Sequence, residues 1–520
     1  MSLLALLPLV LGPVQVVAPV LVLAPVLAGP ASAGPERGGE SVATAAPTAG
    51  ADELAVALAV VRRDLILRLD ELVDEAQGRK LYLQRDHVYA ALIELEPDHK
   101  VARRALAYRR DRDRNWERGR YREPSDRGKQ GALEEFEALR ESRLGAIFRR
   151  QLELLSQPGV SPARRERELR SWVAVDPQNE ELRAALGERR GPQGDWLLTD
   201  SVKALARRKE LRRHVFDARD SVPRPEPWSV PASLGHKALP WTVSLRTRAA
   251  RIAGTVAESE IRADLDALYV LSKLLDVAVK PAPIPAGEPR RIASGWRKRF
   301  TVYVLGSRRQ IPALLAGFPE LKPEDRDIFP QLITGWLRGG YVLGIWGHDE
   351  LARRDSLSRQ VAGGWIRDSY GVSTRQGWVW EGLGLYLSEH AVGTRLTFFI
   401  RPSPYVQGNQ GLNLSKRLQA KGADWYGLLA DLMATDRPPQ LAFLLGKDVN
   451  GMEERELLLA HGLAAWLVEA RPEQAPVIFG RVGSGEDSVR VLEEVLGMRL
   501  PDLEKHLARW AGEVRETRGK

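Results

Sequence analysis

Residues 91–116, ALIELEPDHKVARRALAYRRDRDRNW, align without a gap on 171–196, SWVAVDPQNEELRAALGERRGPQGDW, eighty residues further on. The identical pairs are Pro97/Pro177, Arg103/Arg183, Ala105/Ala185, Leu106/Leu186, Arg109/Arg189, Arg110/Arg190 and Trp116/Trp196. A repeated segment commits the front of the chain to local units that fold alike. Proline is tolerated in the first turn of a helix, where its missing N–H costs nothing. Acidic residues just before it suit the positive end of the helix dipole. The Ala-Leu pair is expected to face a neighbour. A Gly- or Asp-rich turn then leads to tryptophan, which is expected to plug the junction between units.

Apolar residues recur at three- and four-residue spacing from Ala51 onward, and again over 85–110, 131–155 and 163–190, the period of amphipathic helices. The region 51–220 resembles tetratricopeptide-style helical hairpins, although its period is far from the usual ~34 residues. It is read as a helical-repeat-like packing scaffold, with a concave partner-binding surface as the alternative. The run RRDRDRNWERGRYREPSDR (109–127) interleaves arginines with Trp116 and Tyr121. Asp111, Asp113, Glu117 and Glu123 cancel much of its field, so a solvated, salt-bridged loop is expected and nucleic acid is not an expected partner.

The chain has 520 residues, enough for two to four domains at roughly 100–200 residues each. It has no cysteine, which excludes disulfides, thiolate metal sites and thiol nucleophiles. Its net charge of +9 is carried by an arginine-rich composition and is not itself a signal of function. Residues 1–35 carry no charge, Leu3–Leu27 is dominated by Leu, Val and Ala, and Ala31-Ser32-Ala33 has the small-x-small form of a cleavage site. Residues 1–33 are therefore expected to be a signal peptide. A retained anchor is the alternative, although Pro8, Pro13, Pro19, Pro25 and Pro30 interrupt the segment. Residues 34–50 read as a flexible linker. The expected location is periplasmic, cell-envelope or extracellular, with membrane contact only if the first segment is retained.

A proline-rich stretch, 221–240, separates the helical region from 241–520. There 241–249, 297–307 and 341–347 read as strands, 259–279 as an amphipathic helix and 308–317 as a short helix, with helices to the C-terminus. The fold class is α+β, mainly α: a helical-repeat-like region, then a small mixed sheet with a helical C-terminal lobe.

GWVWEGLGLYLSEHA (377–391) resembles the glutamate helix of gluzincin metallopeptidases, W-x-x-E-G-x-A-x-Y, with Trp378, Glu381, Gly382 and Tyr386 on the motif and Gly384 where alanine is commoner. The strand–helix–strand order before it and the tail 454–511 resemble bacterial peptidase-like domains of this group. The resemblance covers about 240–515. It implies a zinc site with two histidines at i and i+4 of a preceding helix, a glutamate between them as general base, and Glu381 as third ligand. In the corresponding segment, DSLSRQVAGGWIRDSY (355–370), Arg359 and Gln360 replace His-Glu and Gly363 replaces the second histidine. A one-residue shift gives Ser358, Arg359 and Ala362, again without histidine. A guanidinium does not give up its proton to bind zinc. The expectation is a degenerate site in which Arg359 pairs with Glu381 at the former metal position. The alternative is that Glu381 is a surface or capping carboxylate. No cofactor is expected, and zinc enters only if substitute ligands such as His348, Asp349, Glu350 or His390 serve. Trp336, Trp346, Trp365, Trp378 and Trp380 cluster around this region in the sequence. Trp365, Trp378, Trp380 and Tyr386 are candidates to line a cleft, with core packing as the alternative.

GVSTRQG (371–377) lacks the paired glycines of a nucleophile elbow, and no Lys-Ser/Thr follows the glycines of GNQG (408–411) or GSGED (483–487). The expected function is that of an exported, non-catalytic peptidase-like protein that binds or assembles with a protein or peptide partner. An active metal-dependent hydrolase is the alternative.

Overall fold

The structure is a computed structural model that describes residues 49–112, 115–235, 237–279, 300–331, 335–338, 342–346, 350–393, 409–420 and 422–515. The expected signal or anchor, most of the expected linker, His348 and Asp349, Gly408 of GNQG, and the side chains of Trp336 and Trp346 lie outside these residues. Two units are distinguished, Met1–Ala59 and Val60–Lys520. The first contributes only the opening turns of one helix to the described part.

That helix is α1 (Ala49–Gly78), followed by α2 (Tyr82–Leu95), α3 (Lys100–Ala105) and a hairpin of β1 (Tyr108–Arg110) and β2 (Trp116–Arg118). The series then recurs as α4 (Ala132–Leu155), α5 (Pro162–Val175), α6 (Glu180–Ala185), β3 (Glu188–Arg190) and β4 (Trp196–Leu198). From α2 onward, each bound in the second series lies eighty residues after its counterpart. The stretches expected as helices at 85–110 and 163–190 therefore each break into helix, short helix and strand. Turns at Pro97 and Pro177 stop the first helices. Ala107 (φ +62°) and Gly187 (φ +74°) turn the chain out of the short ones through the left-handed region.

The identical residues make identical contacts. Arg103 Nε donates to the Pro97 carbonyl at 2.9 Å, and Arg183 Nε to the Pro177 carbonyl at 3.0 Å. Trp116 Nε1 donates to Asp98 at 2.8 Å, and Trp196 Nε1 to Gln178 at 3.4 Å. Arg110 lies 4.8 Å from the Trp116 ring centre and Arg190 lies 4.2 Å from that of Trp196. These tryptophans, expected to plug the junction between units, instead clamp each hairpin to the helical turn of its own unit. The nearest acceptor for the indole N–H is local, and the flanking arginines stack on the ring.

The two units differ at one buried charge. Glu188 is 2% exposed and accepts from Arg183 and from Arg509, both at 2.6 Å; its counterpart eighty residues earlier is Tyr108. Arg183→Ala is therefore expected to cost about 1–3 kcal/mol, since a buried acceptor loses a charged donor. Arg103→Ala is expected to cost under about 1 kcal/mol, because no buried carboxylate depends on it. Urea denaturation of the two variants checks this difference.

Helix α7 (Thr199–Asp220) begins directly after β4. Ala204, Leu211, Val215 and Ala218 on α7 are buried in one apolar cluster with residues from the C-terminal half. Its polar contacts run the same way. Asp200 accepts from Trp466 Nε1 at 3.1 Å and Arg471 Nε at 2.9 Å, with His506 Nε2 3.0 Å away. Burial pushes the Asp200 carboxyl up, but His506 and Arg471 outweigh it and hold the group below its ordinary value.

The sheet contains β5 (Glu226–Pro227), β6 (Val243–Arg246), β7 (Ala250–Gly254), β8 (Phe300–Leu305), β9 (Gly335–Arg338) and β10 (Val342–Trp346), in the order β5-β6-β7-β8-β10-β9. The β7–β8 and β8–β10 pairs are parallel and the others antiparallel. Parallel neighbours need a crossover, and α8 (Glu258–Ala278) lies in the first and α9 (Ile311–Ala316) and α10 (Pro323–Ile328) in the second. The stretch 241–249, expected as one strand, holds β6 and the turn into β7. Alternation sorts the central strands: Ile252, Val302 and Val304 join the large cluster, and Ala253, Tyr303 and Leu305 join a smaller one with Leu234, Ile311 and Leu314. The sheet is thus covered on both faces.

Helices α11 (Glu350–Tyr370), α12 (Gly377–Val392), α13 (Asn409–Gln419), α14 (Trp425–Met433), α15 (Leu441–Leu445), α16 (Glu454–Ala470), α17 (Ala475–Gly483), α18 (Ser488–Leu496) and α19 (Leu500–Val514) complete the described chain. It is mainly helical with a small mixed sheet. Helix α12 is apolar nearly all round, as a central helix must be: α11, α8 and α16 all pack on it.

Candidate functional site

Helix α11 is fixed on α8 by buried charge. Arg353 donates to Asp264 at 2.9 Å and lies 2.9 Å from Glu260, and Arg354 donates to the other Asp264 oxygen at 3.3 Å. Burial pushes the Asp264 carboxyl up against the opposing pull of both arginines. On the other side of α12, Gly382 has no room for a side chain, because a Cβ would collide with the Ala460 carbonyl on α16. Glu381 and Gly382 thus sit on α12 between α11 and α16, in a contact held from both sides.

Within the α11–α12 contact, the Arg359 guanidinium donates to the Glu381 carboxylate, and Asp355 lies 3.9 Å from it on the preceding turn. The pair is largely buried, with side-chain exposures of 13% and 11%. Burial alone pulls the Arg359 guanidinium down, but Glu381 and Asp355 outweigh it and hold it above its ordinary value. Arg359 is therefore a fixed cation, able to neutralise a carboxylate and unable to accept a metal or a proton.

Gln360 is half-buried and makes no hydrogen bond to Glu381. Gly363 is buried against Trp380 so closely that a Cβ would collide with the indole ring, 2.3 Å from its nearest carbon. The space an imidazole would need there is filled by that ring. Gly384 is less constrained: a Cβ would touch Arg359 at 3.7 Å, an ordinary contact, so the commoner alanine would fit.

Trp365, Trp378, Trp380 and Tyr386 do not line an open cleft. Their exposures are 6%, 0%, 9% and 0%, and all belong to the large apolar cluster. Trp365 stacks edge-on Tyr370 at 5.9 Å, and Trp378 donates to Ser488 at 3.2 Å. Their surfaces are spent on helix packing. Tyr386 lies five residues beyond Glu381, about a turn and a half on the helix, and serves a different network. His390, considered as a substitute ligand, stacks on Tyr386 at 4.7 Å.

That network was missed by sequence reasoning. Arg208 on α7 forms a two-pronged pair with Glu469 on α16, at 2.8 and 2.6 Å, and donates to the Val514 carbonyl at 3.1 Å. The hydroxyls of Tyr386 and Tyr426 also donate to Glu469, at 3.2 and 3.3 Å. Tyr426 stacks under the guanidinium at 4.0 Å. The readable signal was Glu469 at the end of the apolar run GLAAWLVEA, since a carboxylate there must find a cation.

Among the described residues no three His, Asp or Glu side chains converge to hold a metal ion, and no helix is long and apolar enough to cross a membrane. No protein-family profile, curated protein or solved structure matches the chain.

Proposed function

We propose that residues 241–520 form a gluzincin-like scaffold whose metal position is taken over by an ion pair, and that the protein works without catalysis, by binding or assembly. The observation that carries this reading is the Arg359–Glu381 pair beside Gly363 and Trp380. Zinc does not fit these residues. Arginine offers no lone pair, the second imidazole position is filled, and the remaining carboxylate is already neutralised. The helical region 51–220 is then a helical-repeat-like partner of this scaffold. The charge-free segment at the start and its small-x-small site support export to the periplasm, envelope or exterior.

The opposing reading is a hydrolase that uses zinc through non-standard ligands. Zinc analysis of full-length protein grown in zinc-replete medium tests both. The expected result is far less than one zinc per chain, unchanged by Glu381→Ala. Stoichiometric zinc that is lost on that substitution, or chelator-sensitive cleavage of peptides, would overturn the proposal.

A further inference from the structure

The two repeat units touch along α2 and α5 but leave a gap beside that contact. Between α2 of the first and α4, α5 and the α5–α6 turn of the second runs an open cleft of about 1290 Å³. This exceeds the ~300–1,000 Å³ of a drug-sized pocket and suits a length of polypeptide. Small side chains, Ala90, Ala138, Gly145 and Ala174, are among those lining it. Its floor reaches the buried rings of Phe136 and Phe148.

Charge gives the cleft its direction. The chain as a whole is +9, yet the lining carries six carboxylates against Arg140 and Arg149. Arg140 is occupied by Glu137 at 3.3 Å and Asp176 at 3.1 Å. That leaves Glu94, Glu141, Glu180 and Glu181, all exposed and without an ion pair among the described residues, against one exposed cation, Arg149, whose Nε donates to the Gly145 carbonyl. The repeat itself shows where this sign arises: Glu180 and Glu181 stand at the positions that hold Lys100 and Val101 in the first unit. The units share their clamping residues and diverge at the cleft wall.

We propose that this cleft is a docking groove for a cationic polypeptide segment, extended and rich in arginine or lysine with small residues between. The aliphatic stems of such side chains would lie on the apolar floor while their charged ends reach the four glutamates on the walls. Small residues between them would pass Ala90, Ala138, Gly145 and Ala174 on the walls. The inference goes beyond the metal-free crossing of α11 and α12 and does not depend on it.

The test titrates full-length protein with a fluorescein-labelled peptide of alternating arginine and alanine, followed by anisotropy at low and moderate salt. The variant Glu94→Gln/Glu141→Gln/Glu180→Gln/Glu181→Gln is expected to bind roughly 10–100-fold more weakly, the sum of four exposed charge contacts. Ala138→Trp, which fills the groove and leaves the charge unchanged, is also expected to weaken binding. A control, Glu117→Gln/Glu153→Gln/Glu324→Gln/Glu473→Gln, removes the same charge from exposed positions elsewhere and is expected to bind as the parent does. Equal affinity of parent and cleft variant, or equal loss in the control, overturns the proposal. A salt-sensitive dimer without peptide that the cleft variant abolishes also overturns it, since the occupant would then be a second copy. Zinc content measured on the same preparation reports separately on the function proposed above.

Discussion

Glu469→Ala is expected to lower stability by about 3–5 kcal/mol, the cost of leaving a buried guanidinium without its carboxylate. Against a typical total of ~5–15 kcal/mol, this is a large share of what keeps a domain folded. Arg208 is 5% exposed and Glu469 is 1% exposed, so water does not replace the lost partner. The loss spreads further, because the Tyr386 and Tyr426 hydroxyls also lose their acceptor. Burial and Glu469 push the Tyr386 phenol well above its ordinary value, so it stays a neutral donor and cannot take over as counter-ion. The double variant Arg208→Met/Glu469→Leu is expected to recover most of the loss, since an apolar pair of similar volume avoids desolvating two charges. Urea denaturation of parent, single and double variants checks this. A loss below about 1 kcal/mol for Glu469→Ala would mean that the pair is not sealed from water.

Installing a His-Glu-x-x-His motif on α11 is expected to fail sterically before it fails chemically. The variant Arg359→His/Gln360→Glu/Gly363→His places two imidazoles and a glutamate at the spacing the motif requires. The new side chain at 363 has to enter the volume of the Trp380 ring. Overpacking of this kind typically costs ~1–3 kcal/mol. Loss of the Arg359–Glu381 pair adds to it, leaving a largely buried carboxylate without its cation. The expected result is a destabilised protein that takes up no zinc. Adding Trp380→Ala is expected to recover part of the stability, because the two positions share one space and their effects couple. If the triple variant binds zinc with Trp380 in place and no loss of stability, the ring is not the obstacle.

Much of this was legible locally. The repeat could be read because its punctuation is chemical: proline stops a helix, glycine turns the chain, and tryptophan needs an acceptor for its N–H. The long amphipathic helix α8 and the central strand β8 declare themselves by period and by β-branched residues. The resemblance to the gluzincin helices suggested Arg359 as the partner of Glu381, with a surface or capping carboxylate as the alternative, and the two side chains do pair. What could not be read is what distance hides. Arg208 and Glu469 lie 261 residues apart, and neither helix alone says which cation meets which carboxylate. The strand β7, ARIAG, has too few large side chains to show a period. The aromatic residues of α11 and α12 carry the same signature whether they line a groove or fill a core. Only the position of α16, which seals α12 from behind, decides between the two.

Helix α7 sets how this chain can be dissected. By composition the chain divides at the prolines of 221–240, yet the twenty-odd residues just before them are buried in the later half through an apolar seam and several charged rivets. A cut among those prolines would tear the wall out of one compartment and leave the other carrying an orphaned greasy helix. A better place to part the two is the β3–β4 hairpin turn, residues 191–195. Even there Glu188 would abandon Arg509, so the front and back of this molecule are expected to melt as neighbours.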